Sequence, residues 1–165
     1  FSVLEDTLAG FILPAYHRSI RKSQRSHPKF YFFDTGVKRA LERSLRQDLP
    51  PRTYGFGRAF EHFLVAEIVR LNDYFRRDWR LSFLRTKDGL EVDLVADRPG
   101  RPTAFIEIKS SDTLTERDVS SLNRFLTDTS AGDGFCLSMD PRRKKLGVVL
   151  CLPWREGLRE LGLVP

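Results

Sequence analysis

Two short apolar runs, GLEVDLVAD (89–97) and TAFIEIKSS (103–111), carry acids where a strand gives one face to a core. In the first, Leu90, Val92, Leu94 and Ala96 alternate with Glu91, Asp93, Val95 and Asp97. In the second, Ala104, Ile106 and Ile108 alternate with Phe105, Glu107 and Lys109. Strand side chains repeat with period two, so the acids and Lys109 are predicted to share one face. If the runs are neighbours, about 4.8 Å apart, Asp93 and Glu107 can converge on one divalent cation while Lys109 reaches a reacting group. Those residue types are the minimum for metal-assisted phosphodiester hydrolysis. On pattern alone, a strand with one solvated face reads the same way.

The rest of the chain sets these runs in a mixed sheet. Residues 2–9 read as the end of a helix, 11–18 and 29–34 as a hairpin with a long tip, and VKRALERSLR (37–46) as a helix that Asp34 or Thr35 can cap. Pro50-Pro51 marks a boundary, so residues 1–50 and 55–165 are expected as separate units. A long amphipathic helix is predicted over 57–76, with Phe60, Phe63, Leu64, Ile68 and Leu71 at helical spacing and Glu61 beside that stripe. A strand over 79–86 leads through Asp88-Gly89, a hairpin signal, into the acidic strand. Thr113 and Glu116 match a capping box and open the next helix. Strands near 134–138 and 147–152, separated by a basic turn PRRKK (141–145), and a helix over 154–161 complete the order. Three strands joined by short loops are antiparallel, and the helical crossover after the third allows a parallel neighbour.

Charge and cysteines narrow the class. The net charge is +6, but residues 1–53 hold 10 Lys/Arg against 5 Asp/Glu while 54–165 hold 18 against 17. The densest basic stretch, HRSIRKSQRSHPK (17–29), contains Arg18, Arg21, Lys22, Arg25 and Lys29 and no acid, as suits either a solvated loop or a loop that contacts phosphates. Cys136 and Cys151 sit in apolar strand-like runs without CxxC or Cys/His spacing, and are read as reduced, buried thiols. No apolar run approaches the length of a membrane span and the N-terminus lacks the basic region of a signal peptide, so a cytoplasmic location is expected. The chain starts at Phe1 in what reads as mid-helix, as expected of a fragment of a longer protein.

Glu61 on the helix before the sheet, Asp93 in the second strand and Glu107-x-Lys109 ending the third follow the motif order of the PD-(D/E)XK, or restriction-endonuclease-like, nucleases. The runs KFYFFDTGVKRAL, GRAFEHFLVAEIV, GLEVDLV and IEIKSS together resemble the C-terminal domain of unknown function that follows the ATPase module in a family of bacterial and archaeal AAA-type ATPases. The resemblance covers roughly Ser2 to Trp154. It implies an α/β restriction-endonuclease-like fold, a mixed sheet flanked by helices, with a small N-terminal winged-helix-like element whose wing is the basic hairpin. It further implies that Asp93 and Glu107, with Glu61 as an auxiliary acid, bind Mg²⁺ or Mn²⁺, and that Lys109 orients water or stabilises charge on the phosphate. DNA and the ATPase module of the full-length chain are the implied partners, with oligomers formed through the ATPase. Val92 stands where the nominal motif has proline. No GxxxxGK loop is present, so no ATP hydrolysis is expected of this segment. The rival expectation is a non-enzymatic module that binds DNA or a protein and targets the ATPase. Glu91 reads as a solvated or structural acid and His62 as a packing or surface residue. Asn123 and Arg124 read as surface residues, and Trp79 and Trp154 as core or interface anchors.

Overall fold

Lys29–Phe32, rich in aromatics, pairs antiparallel with Gly10–Leu13, setting Gly10 opposite Phe32 and Leu13 opposite Lys29. These strands are β1 (Gly10–Leu13) and β2 (Lys29–Phe32) of a computed structural model that describes residues 7–16, 27–86 and 89–164. The basic residues Arg18, Arg21, Lys22 and Arg25 lie outside the described residues. A side chain at Gly10 would collide with the Tyr31 carbonyl and the Phe30 ring, so the close pairing requires glycine there.

The short helix α1 (Thr35–Leu41) starts at Asp34, whose carboxylate accepts from the Gly36 and Val37 N–H groups. It stops well before Arg46, the end expected from its periodicity. Arg43 turns to a φ of 56°, and the Arg39 guanidinium binds the Ser44 and Leu45 carbonyls where further turns would run. Helix α2 (Tyr54–Tyr74) begins at Thr53, whose hydroxyl accepts from the Phe56 N–H.

The six-stranded sheet runs in the order β3-β4-β5-β6-β8-β7. Its strands are β3 (Arg80–Arg85), β4 (Glu91–Asp97), β5 (Ala104–Lys109), β6 (Asp133–Ser138), β7 (Lys144–Leu146) and β8 (Val149–Pro153). The first three are antiparallel, β5, β6 and β8 are parallel, and β7 returns antiparallel on β8. Helix α3 (Glu116–Thr129) makes the crossover from β5 to β6, and α4 (Trp154–Glu160) follows β8. The sheet is thus mixed and flanked by helices. Strand β7 occupies part of the stretch read as a basic turn, because an edge strand tolerates lysines on its open side. The capping box at α3 is also shifted from its expected frame: Asp118 accepts from the Thr115 N–H, and Thr115, not Thr113, is the cap.

Each sheet face has its own core. On one, Leu64, Val65 and Ile68 of α2 meet Leu94, Ile106, Leu137 and Leu152, together with Leu158 of α4 and Leu13, Ala15 and Tyr31 of the hairpin segment. The segments divided at 50–55 by sequence therefore share a core. On the other face, Val119, Leu122 and Leu126 of α3 cover Val95, Phe105 and the paired Cys136 and Cys151, both free and buried. The hairpin also shields the open edge of β3, since the Phe83 N–H donates to the Pro14 carbonyl and the Tyr16 N–H to the Phe83 carbonyl. No helix among the described residues is long and apolar enough to cross a membrane.

Candidate active site

A bulge in β4 aims the central acid. Ser82 pairs with Val95 and Leu84 with Val92, so Asp93 and Leu94 together face the single residue Phe83. The extra residue breaks the strict alternation read from sequence. Val92 joins Val95 in the α3-side core, while Leu94 and Ala96 stay on the α2 side. Asp93 turns into a cleft of about 550 Å³ that Tyr31, Glu61 and His62 also line. Pairing of β4 with β5 runs from Ala96 opposite Ala104 to Leu94 opposite Ile106 and goes no further. Beyond it the Ile108 N–H donates to Asp93 Oδ2 at 2.8 Å.

Glu107 shares the α3-side face of β5 with Phe105, yet it reaches the same cleft from the parting of the two strands. The acids therefore meet across the open end of the sheet and not on one shared face. Lys109 Nζ donates to Glu107 Oε1 at 2.6 Å and lies in an adjoining cleft of about 350 Å³, with Glu91, Arg117 and Asp118. Glu61 projects from α2 and accepts from the Tyr31 hydroxyl at 3.1 Å. Lys29 Nζ stands 2.5 Å from Glu91 and 4.0 Å from Glu61, inside the cleft at the root of the basic hairpin.

The electrostatics follow from burial of like charges. Burial first, then the charges of Glu107 and Glu61, pushes the Asp93 carboxyl up to about 8. Burial likewise raises Glu107 against the opposing pull of Lys109. Burial works to lower Lys109, but the adjacent Glu107 outweighs it and the ammonium is held more firmly. Tyr31 is pushed far up by burial and then by Glu61, which fixes its hydroxyl as a donor.

Among the described residues, no three His, Cys, Asp or Glu side chains are gathered closely enough to hold a metal ion by themselves. What the cleft offers is a carboxylate pair, Asp93 and Glu107, with Glu61 nearby. Asp93 uses one oxygen on Ile108, and its other takes no hydrogen bond among the described residues. One or two hard oxygen donors with room for retained waters is the set that Mg²⁺ prefers. The donor set therefore fits that ion.

Other residues singled out by sequence have structural posts. His62 is buried, with Nε2 2.7 Å from the Phe32 carbonyl, its ring edge-on to Tyr31 and its pKa lowered by burial. Asn123 accepts from the Val148 N–H and abuts Gly147, so it holds the β7–β8 turn, while Arg124 is exposed. Trp79 and Trp154 pack against the α2-side core. Sequence reasoning does not select Tyr31; its aromatic run signals a strand but not a partner thirty residues away.

Fold and cleft together define a mixed α/β protein with buried carboxylates at the parting of two strands. The family model described as Domain of unknown function (DUF4143) matches residues 56–156, and the chain belongs to that family. No curated protein and no solved structure matches it.

Proposed function

We propose that this chain is a restriction-endonuclease-like domain, the C-terminal part of a cytoplasmic AAA-type ATPase, that hydrolyses DNA phosphodiester bonds with Mg²⁺ or Mn²⁺. The carrying observation is that Glu61, Asp93 and Glu107 come from three elements into one cleft, where burial, then the charges of Glu107 and Glu61, raises the Asp93 carboxyl. Such a cluster repels phosphate unless a cation offsets it. Asp93 and Glu107 are the residues that would hold the ion, with Glu61, held by the Tyr31 hydroxyl, lining the same cleft. When bound, it supplies Lewis acidity, lowering the pKa of a coordinated water and offsetting charge on the scissile phosphate. Lys109 stays charged beside Glu107 and positions the phosphate or the attacking water. The β1–β2 hairpin serves as a winged-helix-like element, and Arg18, Arg21, Lys22 and Arg25, which lie between its strands in the sequence, bind the DNA backbone.

A second reading has its own support. Lys29 already offsets charge at Glu91 and approaches Glu61, an arrangement that suits a module which binds DNA or a protein and cuts nothing. Incubating the full-length protein with linear, nicked and branched DNA in Mg²⁺ or Mn²⁺, with and without ATP, separates the two. Cleavage that Asp93→Ala abolishes supports the nuclease; binding without cleavage under every condition supports the module.

A further inference from the structure

Of the cations lining the acidic cleft, Lys29 is held by Glu91 and Lys38 by Glu42. Arg58 is different. Among the described residues it has no carboxylate within ion-pair distance; it donates only to the Tyr54 hydroxyl, at 3.3 Å, and stacks 5.8 Å over that ring. Its guanidinium keeps most of its five donors for something else. Tyr54 is 80% exposed although it is a large aromatic. Tyr54, Arg58 and Glu61 follow one another at helical spacing on α2, so Arg58 stands on the cleft rim one turn from Glu61 and Tyr54 one turn further back. The two residues also line a second depression of about 360 Å³, with Arg39 and Glu42.

We propose that Tyr54 and Arg58 form a nucleotide subsite that stacks an unpaired base on the tyrosine ring and binds the adjoining phosphate with the guanidinium. This rests on the nuclease-fold reading for the class of ligand and adds the form of the strand. A base is free to stack on a side chain only when it is unstacked from its duplex, so the preferred substrate is a single strand or a frayed or flapped end. Arg58 suits the phosphate because its planar fork matches two oxygens at once. Its stacking on Tyr54 holds the fork against the rim before ligand arrives.

Fluorescence anisotropy with a labelled single-stranded oligonucleotide and the matching duplex, in EDTA and again in Ca²⁺, tests the subsite without requiring cleavage. Tyr54→Ala is expected to weaken single-strand binding about 5- to 150-fold, the range for loss of one base stack, and duplex binding by less than about twofold. Tyr54→Phe, which keeps the stacking face, should retain single-strand affinity, while Arg58→Ala weakens both forms. The strand preference should persist in EDTA, where no divalent cation is bound, so the subsite stands or falls separately from the nuclease activity. Equal effects of Tyr54→Ala on both forms, or none on either, would overturn the proposal and leave Arg58 as a backbone contact alone. Absence of single-strand binding by the unaltered protein in both conditions would overturn it as well.

Discussion

The Ile108 N–H donates to Asp93 Oδ2 at 2.8 Å, just past the last residue pair that β4 and β5 share. A side chain thus satisfies a backbone donor that the departing strand has left behind. The same bond fixes one oxygen of the carboxylate and leaves the other to the cleft. The bulge opposite Phe83 makes this possible by placing two residues of β4 where regular pairing would place one.

Retention of a proton on Asp93 sets the sign of a pH effect. Its folded-state pKa, about 8, is raised above the ordinary carboxylate value. The associated stability is therefore full at low pH and is lost as pH rises from about 4 through about 8. In EDTA, the Tm is expected to fall over that window. Asp93→Asn keeps an oxygen for Ile108 and should flatten the fall, gaining on the order of 1–3 kcal/mol over the unaltered protein near pH 9. Melting curves near pH 5, 7 and 9 check this; parallel curves for both proteins would refute it. Added Mg²⁺ should raise the Tm of the unaltered protein and not that of Asp93→Ala.

Lys109 contacts Glu107, while Asp93 takes its bond from the backbone, so loss of the lysine separates binding from turnover. Lys109→Ala should keep Mg²⁺ affinity within a fewfold, because Glu107 regains an open oxygen. Cleavage should fall by about 10²–10³, the scale for removing one group that stabilises developing charge. Calorimetric metal titration beside a cleavage assay reads both; loss of metal binding would move Lys109 out of this role.

Asp140 predicts a stability loss away from the cleft. It is completely buried, and its carboxylate takes Lys144 at 2.6 Å, Arg142 at 3.3 Å and the Leu114 N–H at 2.8 Å. The bond from Lys144, assisted by the N–H donors, holds its pKa well below the usual carboxylate range. Asp140→Ala leaves the Leu114 N–H without its acceptor and two cations without their counter-charge, and should cost about 2–4 kcal/mol. Urea denaturation with an unchanged midpoint would contradict the assignment.

Replacing Arg18, Arg21, Lys22 and Arg25 with alanine tests the basic tip. Binding should weaken similarly across DNA sequences, and the slope of log K against log salt should flatten by up to about 0.9 for each phosphate that the tip no longer neutralises. Metal binding should persist. An unchanged slope would assign the stretch to a solvated loop or to docking against the ATPase module.

Local patterns make much of this fold legible. The acidic alternation locates β4 and β5, Asp-Gly the hairpin before them, and helical spacing the buried stripe of α2 around Leu64 and Ile68. The bulge is not legible, because LEVDLVAD carries no Gly or Pro and the extra residue exists only relative to Phe83 on the neighbouring strand. The frame of the α3 cap is ambiguous for a similar reason. Thr113–Glu116 and Thr115–Asp118 have equivalent spacing, and burial of Leu114, with its N–H on Asp140, selects the second. Charge density groups Lys29 with the phosphate-contacting loop, but it is the first residue of β2 and the pairing directs it to Glu91. Tyr31 and Glu61 are thirty positions apart, a distance no local period spans.

The way Leu13, Ala15 and Tyr31 enter the core sets the matched segment apart from the unit that folds. The family match opens at residue 56, two positions inside α2 and beyond its Thr53 cap. A polypeptide begun there would present Leu64, Val65 and Ile68 to water where the hairpin had covered them, at about 1.5–3 kcal/mol for each large side chain laid bare. It would also lose Tyr31, the donor that orients Glu61, and uncover the outer edge of β3 for pairing with a neighbouring chain. Recombinant boundaries drawn at the edge of the match would therefore yield aggregating material, and a negative activity assay on such material would say nothing about the cleft.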